Sequence, residues 1–226
     1  TWQVYSIDKA GNRSATSANF TLTVDTVNAT PVITGAYDNV AGGVNNGLVG
    51  NGGVTNDRTP ELRGTAEAGS TVYITNAANG VVVSTTADAS GNWSYPTSLP
   101  DQTYTWQVYS IDKAGNRSAT SANFTLTVDT VNNAPVILGS YDDVQGGVYN
   151  GLVGNGGVTN DRVLDLRGTA EAGSVVYVVI DNYGTVVGSA TAGADGKWSF
   201  PTTTNYNQTY NFHAYSIDKA GNRSGN

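Results

Sequence analysis

Six carboxylates recur along this chain in two sets of three: Asp25, Glu67 and Asp112, then Asp129, Glu171 and Asp218. The first two members of each set lie 104 residues from their counterparts (129 − 25 and 171 − 67), and the third lies 106 away (218 − 112). Like charges gathered in one place repel unless protonated or bridged by a cation, and in an exposed loop at neutral pH the cation is the cheaper solution. Ligands that offer only oxygen favour Ca²⁺ over transition metals, and main-chain carbonyls can complete a shell of about six to eight. Asn28 and Asn132, three residues after the leading aspartate of each set, add an amide oxygen. Calcium is therefore the expected cofactor. A plainer role stays open, in which Asp112 caps the KAGN turn while Lys113 and Arg117 neutralise it.

A second group of oxygen ligands flanks a glycine-rich excursion. Asp38 and Asn39 precede it and Asn56 and Asp57 follow, and the later copy offers Asp142, Asp143, Asn160 and Asp161. Gly50, Gly52 and Gly53 allow main-chain carbonyls to turn toward an ion. The same residues would equally close a loop through Asx turns. Asp88 and Asp195 are left out, because they do not coincide when the copies are aligned on Trp93 and Trp198.

Other chemistries fare poorly. With one histidine, His213, no Ser-His-Asp set can be built twice, and the absence of cysteine removes thiolate metal sites and cysteine nucleophiles. GNGGVTND lacks the GK[ST] ending of a phosphate loop. A net charge of −7 repels phosphate backbones and anionic membrane surfaces, and no apolar run is long enough to span a bilayer, so neither nucleic acid nor membrane insertion is expected. His213 takes the place of Gln3 and Gln107 and reads as a solvent-facing strand residue.

The elements that must position the carboxylates follow from the repeat. Thr1 to Asn28 recurs unchanged at Thr105 to Asn132, 104 residues on (105 − 1), and SIDKAGNRS begins at Ser6, Ser110 and Ser216. Within one period the apolar residues alternate, as in Phe124, Leu126 and Val128, which is the pattern of a half-buried strand, and no helical stripe appears. Seven strands are expected in the full copy, at Pro31–Gly35, Pro60–Ala66, Thr71–Thr75, Val81–Thr86, Trp93–Pro96, Tyr104–Ile111 and Ala122–Val128, with Leu62, Ile74, Trp93, Trp106 and Val108 in the core. The fold class is all-β, tandem Ig-like seven-stranded sandwiches. An odd strand count brings the chain in at one pole and out at the other, so the modules are expected to stack end to end as a rod. Glu67, the turn after Asp112 and the DTVN joint with Asp25 then share one pole.

The motifs YDDV at Tyr141, TNDR at Thr159, LRGTAEAGS at Leu166, GKWSF at Gly196 and SIDKAGNRS at Ser216, in this order, with YDNV, TNDR, LRGTAEAGS, GNWSY and SIDKAGNRS in the earlier copy, cover essentially the whole chain. In these motifs the chain resembles bacterial Ig-like repeats of giant type I-secreted adhesins and biofilm-associated proteins. The resemblance implies an extracellular surface or matrix protein, with calcium held in and between modules.

The expected organisation is residues 1–26 as the closing strands of a preceding repeat, 27–130 as a complete repeat, and 131–226 as a repeat ending before its last strand. The absence of methionine and the start at Thr1 lead us to expect a piece of a longer product. The expected partners are adjacent repeats and, through addition of the Ala18–Val24 strand to the unfinished final repeat, a second molecule head to tail. The expected function is that of an adhesin spacer without enzymatic activity. The rival expectations are a glycan- or receptor-binding module using Tyr73, Tyr109 and Tyr177 or the glycine-rich loops, and an accessory module of a polysaccharide-acting enzyme.

Overall fold

The computed structural model describes residues 1–40, 47–76, 80–145, 151–181, 184–205 and 207–226. Every regular element among them is a strand. The first full copy carries β1 (Val32–Asp38), β2 (Gly47–Val49), β3 (Gly53–Thr55), β4 (Glu61–Thr65), β5 (Thr71–Asn76), β6 (Val81–Thr86), β7 (Asn92–Pro96), β8 (Gln102–Ile111) and β9 (Phe124–Val128). The second carries β10 (Val136–Asp142), β11 (Gly151–Val153), β12 (Val163–Thr169), β13 (Val175–Ile180), β14 (Thr185–Thr191), β15 (Lys197–Thr203) and β16 (Phe212–Ile217). The sheet orders are β2-β1-β4-β7 and β3-β9-β8-β5-β6, then β11-β10-β12-β15 and β14-β13-β16.

All seven expected strands of the first copy are present. The structure adds two, β2 and β3, which arise from the glycine-rich excursion. Each is only three residues long, too short to show a period of two, and each exists because a distant strand receives it. β2 lies antiparallel to β1, with Asp38 opposite Gly47, while β3 runs parallel to β9, with Gly53 opposite Leu126. A turn closed by Gly53 N–H to the Gly50 carbonyl at 3.1 Å separates them, with Gly52 at a φ of +78°. The same GVT triplet at Gly157–Thr159 has no β9 counterpart in this sequence, and it is not a strand.

The chain divides into two compact units. One comprises Thr1–Val32, Gly64–Trp93 and Gln107–Ala122, the other Ile33–Arg63, Ser94–Trp106 and Asn123–Asn226. In the first, Val72, Ile74, Trp93 and Val108 are buried. Gly64 is required there by close approach, because a Cβ would stand 2.0 Å from the Val32 carbonyl oxygen and 2.3 Å from the Trp93 ring. In the second, Leu166 of β12 and Trp198 of β15 meet Val176 and Val178 of β13 and Ala214 of β16 in one cluster. That cluster joins two facing sheets, as in a β-sandwich. Leu62 and Trp106 are also buried, so all five residues expected in the core are shielded from water.

Candidate metal centre

The turn that carries Asp112 organises itself. In Asp112-Lys-Ala-Gly-Asn116, the carboxylate Oδ1 accepts the Asn116 N–H at 2.8 Å, Oδ2 accepts the Asn116 side-chain amide at 2.8 Å, and the Asp112 N–H donates to the Asn116 carbonyl at 3.1 Å. Asp218 and Asn222 repeat these contacts at 2.9, 2.8 and 3.1 Å. Asp8 and Asn12 form the same set. A short aspartate followed by Gly at a φ of about +92° encodes this locally, since the side chain satisfies the amides that the tight turn strands. Burial pushes the Asp112 carboxyl up, but the hydrogen bonds from Asn116 and the backbone of Ala114 and Gly115 prevail and hold it below its ordinary value.

Glu67 and Glu171 open the AEAGS turns. Ser70 N–H returns to the Glu67 carbonyl and Ser174 N–H to the Glu171 carbonyl, each at 3.0 Å. Gly69 and Gly173 have φ of +75° and +82°, and a Cβ on either would strike the Lys113 or Lys219 side chain, which lies across it.

Asp25 and Asp129 come from the joints, which asparagines tie down. Asn116 Nδ2 donates to the Asp25 carbonyl at 3.1 Å, and Asn222 Nδ2 donates to the Asp129 carbonyl at 2.9 Å. Asn28 Nδ2 donates to the Asn116 carbonyl at 2.9 Å, and its Oδ1 accepts Ser110 Oγ–H at 3.2 Å. Asn132 makes the equivalent bonds to Asn222 and Ser216 at 2.8 and 3.2 Å. Both asparagines, expected among the ligands, are thus latches whose amide oxygens are already engaged.

The outcome is that Asp25, Glu67 and Asp112 place one carboxylate oxygen each within 4.8 Å of one another, and so do Asp129, Glu171 and Asp218. Among the described residues these are the groups of three or more potential metal-ligating side chains. Burial, followed by the charges of Asp129 and Asp218, raises the Glu171 carboxyl above its ordinary value, with Lys219 opposing. The ion pairs lie elsewhere, at Arg58–Asp101, Arg63–Glu61, Arg167–Asp165, Lys197–Asp195 and His213–Asp181. Arg117, expected to neutralise Asp112, lies instead over the Tyr109 ring at 4.0 Å. Three oxygens at this spacing, with main-chain carbonyls beside them, suit a hard cation.

The glycine-rich loop residues behave differently. Asp38 is wholly buried, accepting Val40 N–H at 2.9 Å and Thr55 Oγ–H at 2.5 Å. Asp57, also buried, accepts the Thr59 N–H at 2.7 Å and, from across the loop, the Asn39 N–H at 3.3 Å. Asp142 takes Val144 N–H at 3.0 Å and Thr159 Oγ–H at 2.7 Å, and Asp161 takes Val163 N–H at 2.8 Å. These are the bonds of the turn-closing role. Asp143 and Asn160 are exposed, while the Asn56 amide oxygen is buried without a hydrogen-bond partner. Residues 41–46 and 146–150 of these loops lie outside the described residues.

Sequence reading passed over Asp101. Its carboxylate accepts the Thr130 N–H at 3.0 Å and pairs with Arg58 at 2.9 Å, pinning the DTVN joint. It also passed over the Arg–Tyr stacks, whose signal is an arginine eight residues after each tyrosine: Arg13 after Tyr5, Arg117 after Tyr109, Arg223 after Tyr215.

Residues 34–130 match the family model described as bacterial Ig-like domain, and residues 154–226 match the one described as bacterial Ig domain. The chain is built of bacterial Ig-like domains. Among solved structures, these Ig-like repeats are similar to the BSP domain of a biofilm-associated protein, at 20% identity over 87% of this chain and 28% of that one, with a TM-score of 0.28. They are similar to a tetra-tandem repeat in the extending region of a large adhesion protein, at 20% identity over 88% and 48%, with a TM-score of 0.32. A third likeness, to a 1.5-MDa bacterial ice-binding adhesin, has 21% identity over 98% and 69% and a TM-score of 0.40. The Ig-like chain thus spans less than a third of the first structure and under half of the second. No curated protein sequence matches it.

Proposed function

We propose that these Ig-like repeats are calcium-stiffened spacers from an extracellular bacterial surface adhesin that serves adhesion or biofilm formation, with repeats at 27–130 and 131–226 and the end of another at 1–26. The observation that carries this reading is the recurrence of three carboxylates within 4.8 Å of one another, each time including the aspartate of a DTVN joint. Asp25, Glu67 and Asp112 would hold one calcium ion, and Asp129, Glu171 and Asp218 another. The ion would remove the mutual repulsion of the three charges and tie the joint to two turns of the following repeat. The family match and the adhesin-like motifs support the surface role, and the job is mechanical, not catalytic.

The rival reading, a glycan platform on the strand tyrosines, has less support. One face of the Tyr109 ring is stacked on Tyr73 at 5.0 Å and the other is covered by Arg117, and Tyr215 is likewise held between Tyr177 and Arg223. An aromatic ring covered on both faces has none left for a sugar to stack on.

Small-angle scattering and thermal melting of the chain in calcium and in chelator test the proposal. Loss of calcium is expected to change the maximum dimension, because joint motion is released, and to lower the melting temperature. Identical curves in both conditions would count against it.

A further inference from the structure

The same letters occur here in two environments. Phe124, Leu126 and Val128 of β9 are 3%, 0% and 1% exposed, while Phe20, Leu22 and Val24, which repeat them, are 63%, 58% and 79% exposed. β9 pairs with β8 from Gln102–Val128 to Trp106–Phe124, and on its other side it takes up β3. The hairpin of residues 1–24 holds its second strand by a single bridge, Trp2–Phe20. A two-stranded hairpin without a covering layer is marginal in water.

A position for such a strand is vacant elsewhere in the fold. β16, the counterpart of β8, pairs with β13 and is the edge of its sheet. Gln208 to Asn211, whose counterparts Gln102 to Thr105 are strand in β8, are not strand, and Val158, counterpart of Val54 in β3, is 77% exposed. The edge of β16 and the unpaired GVT triplet therefore mark the slot that β9 fills in the first copy.

We propose that residues 20–24 of a second copy of this chain occupy that slot, with Phe20 opposite Phe212 and Leu22 opposite Tyr210, and with Val158 alongside Thr23 in parallel register. The single Trp2–Phe20 bridge is exchanged for a ladder on both sides, and three exposed apolar side chains become buried. The occupant is a second copy because the required strand is present letter for letter at 20–24. The inference is independent of calcium.

The test is light scattering of the 226-residue chain over a concentration series, beside a Leu22→Asp/Val24→Asp variant and a Thr23→Cys/Val158→Cys variant. Both residues of the first pair are exposed in the free chain, so that variant folds as the parent does. The chain has no cysteine of its own, so any disulfide reports the designed pair. Opposed strand residues lie at a separation that a disulfide can bridge. The expected results are concentration-dependent head-to-tail association of the parent, a monomeric Asp variant, and intermolecular disulfides in the Cys variant. A parent that stays monomeric at all concentrations, association that survives the two aspartates, or the absence of intermolecular disulfides would overturn the proposal.

Discussion

Asn222 holds the main-chain carbonyl of Asp129 at 2.9 Å with the same amide group that holds Asp218 Oδ2 at 2.8 Å. One neutral side chain thereby binds two members of a carboxylate set to each other without cancelling their charge. Asn12 makes the turn contacts to Asp8, so the turn forms by itself, and the hold on the joint is an addition that Asn116 and Asn222 provide.

Asn222→Ala therefore removes bonds that Asn12→Ala does not. In the metal-free chain Asn222→Ala is expected to cost about 1–3 kcal/mol, since a partly buried carboxylate and a carbonyl both lose a donor. Asn12→Ala, at an exposed turn, should stay within about 0.5 kcal/mol. Denaturant titration compares them, and equal costs would show that the joint contact contributes nothing.

The repeated sequence supplies an internal control for burial. Leu126→Ala should cost about 2–5 kcal/mol, because it empties a fully buried position, whereas Leu22→Ala should change stability by less than about 0.5 kcal/mol. The two substitutions alter identical local sequence, so thermal melting isolates the effect of environment.

Gly168→Ala is expected to destabilise the second copy by about 3 kcal/mol. The added methyl would sit 2.0 Å from the Val136 carbonyl oxygen and 2.5 Å from the Trp198 ring, and a backbone atom of a paired strand cannot withdraw. Trp198 fluorescence during unfolding reads the change.

Two carboxyls set opposite pH dependences. The Thr130 N–H, then its hydroxyl and Arg58, hold Asp101 below its ordinary value. Its contribution is present above the unfolded pKa of about 3.9 and disappears as pH falls through the lower folded value. Glu171 is raised, so its contribution is complete below the unfolded pKa of about 4.3 and is lost as pH rises through the folded value. Melting temperatures against pH should fall more gently on the acid side for Asp101→Asn than for the parent. Above pH ~4.3 the metal-free parent should lose the stability that Glu171→Gln retains.

Much of this was readable before the structure. The alternation of Phe124, Leu126 and Val128 marks a strand because each buried side chain belongs to a residue whose neighbours face water. The shared pole of Asp129, Glu171 and Asp218 follows from counting strands. β2 and β3 were not readable, because three residues carry no period and β3 depends on pairing with β9, about 70 residues away in sequence. Asn28 and Asn132 were read as ligands because an amide oxygen beside carboxylates suits a cation. Only their position against Ser110 and Ser216 shows that oxygen already bound. The ring contacts of Arg117 and Arg223 were missed for a similar reason, since charge alone assigned Arg117 to Asp112.

Isothermal titration of calcium into the chelator-treated chain tests the central claim most directly. The account predicts two sites with Kd of about 10⁻⁴ to 10⁻³ M, the range of extracellular modules, and about 1.4 kcal/mol of added stability at tenfold excess over Kd. It also predicts that Asp129→Asn/Asp218→Asn removes one site and leaves the other. No binding heat up to 10 mM calcium (about tenfold above the weakest predicted Kd), or two sites persisting in that variant, would contradict it.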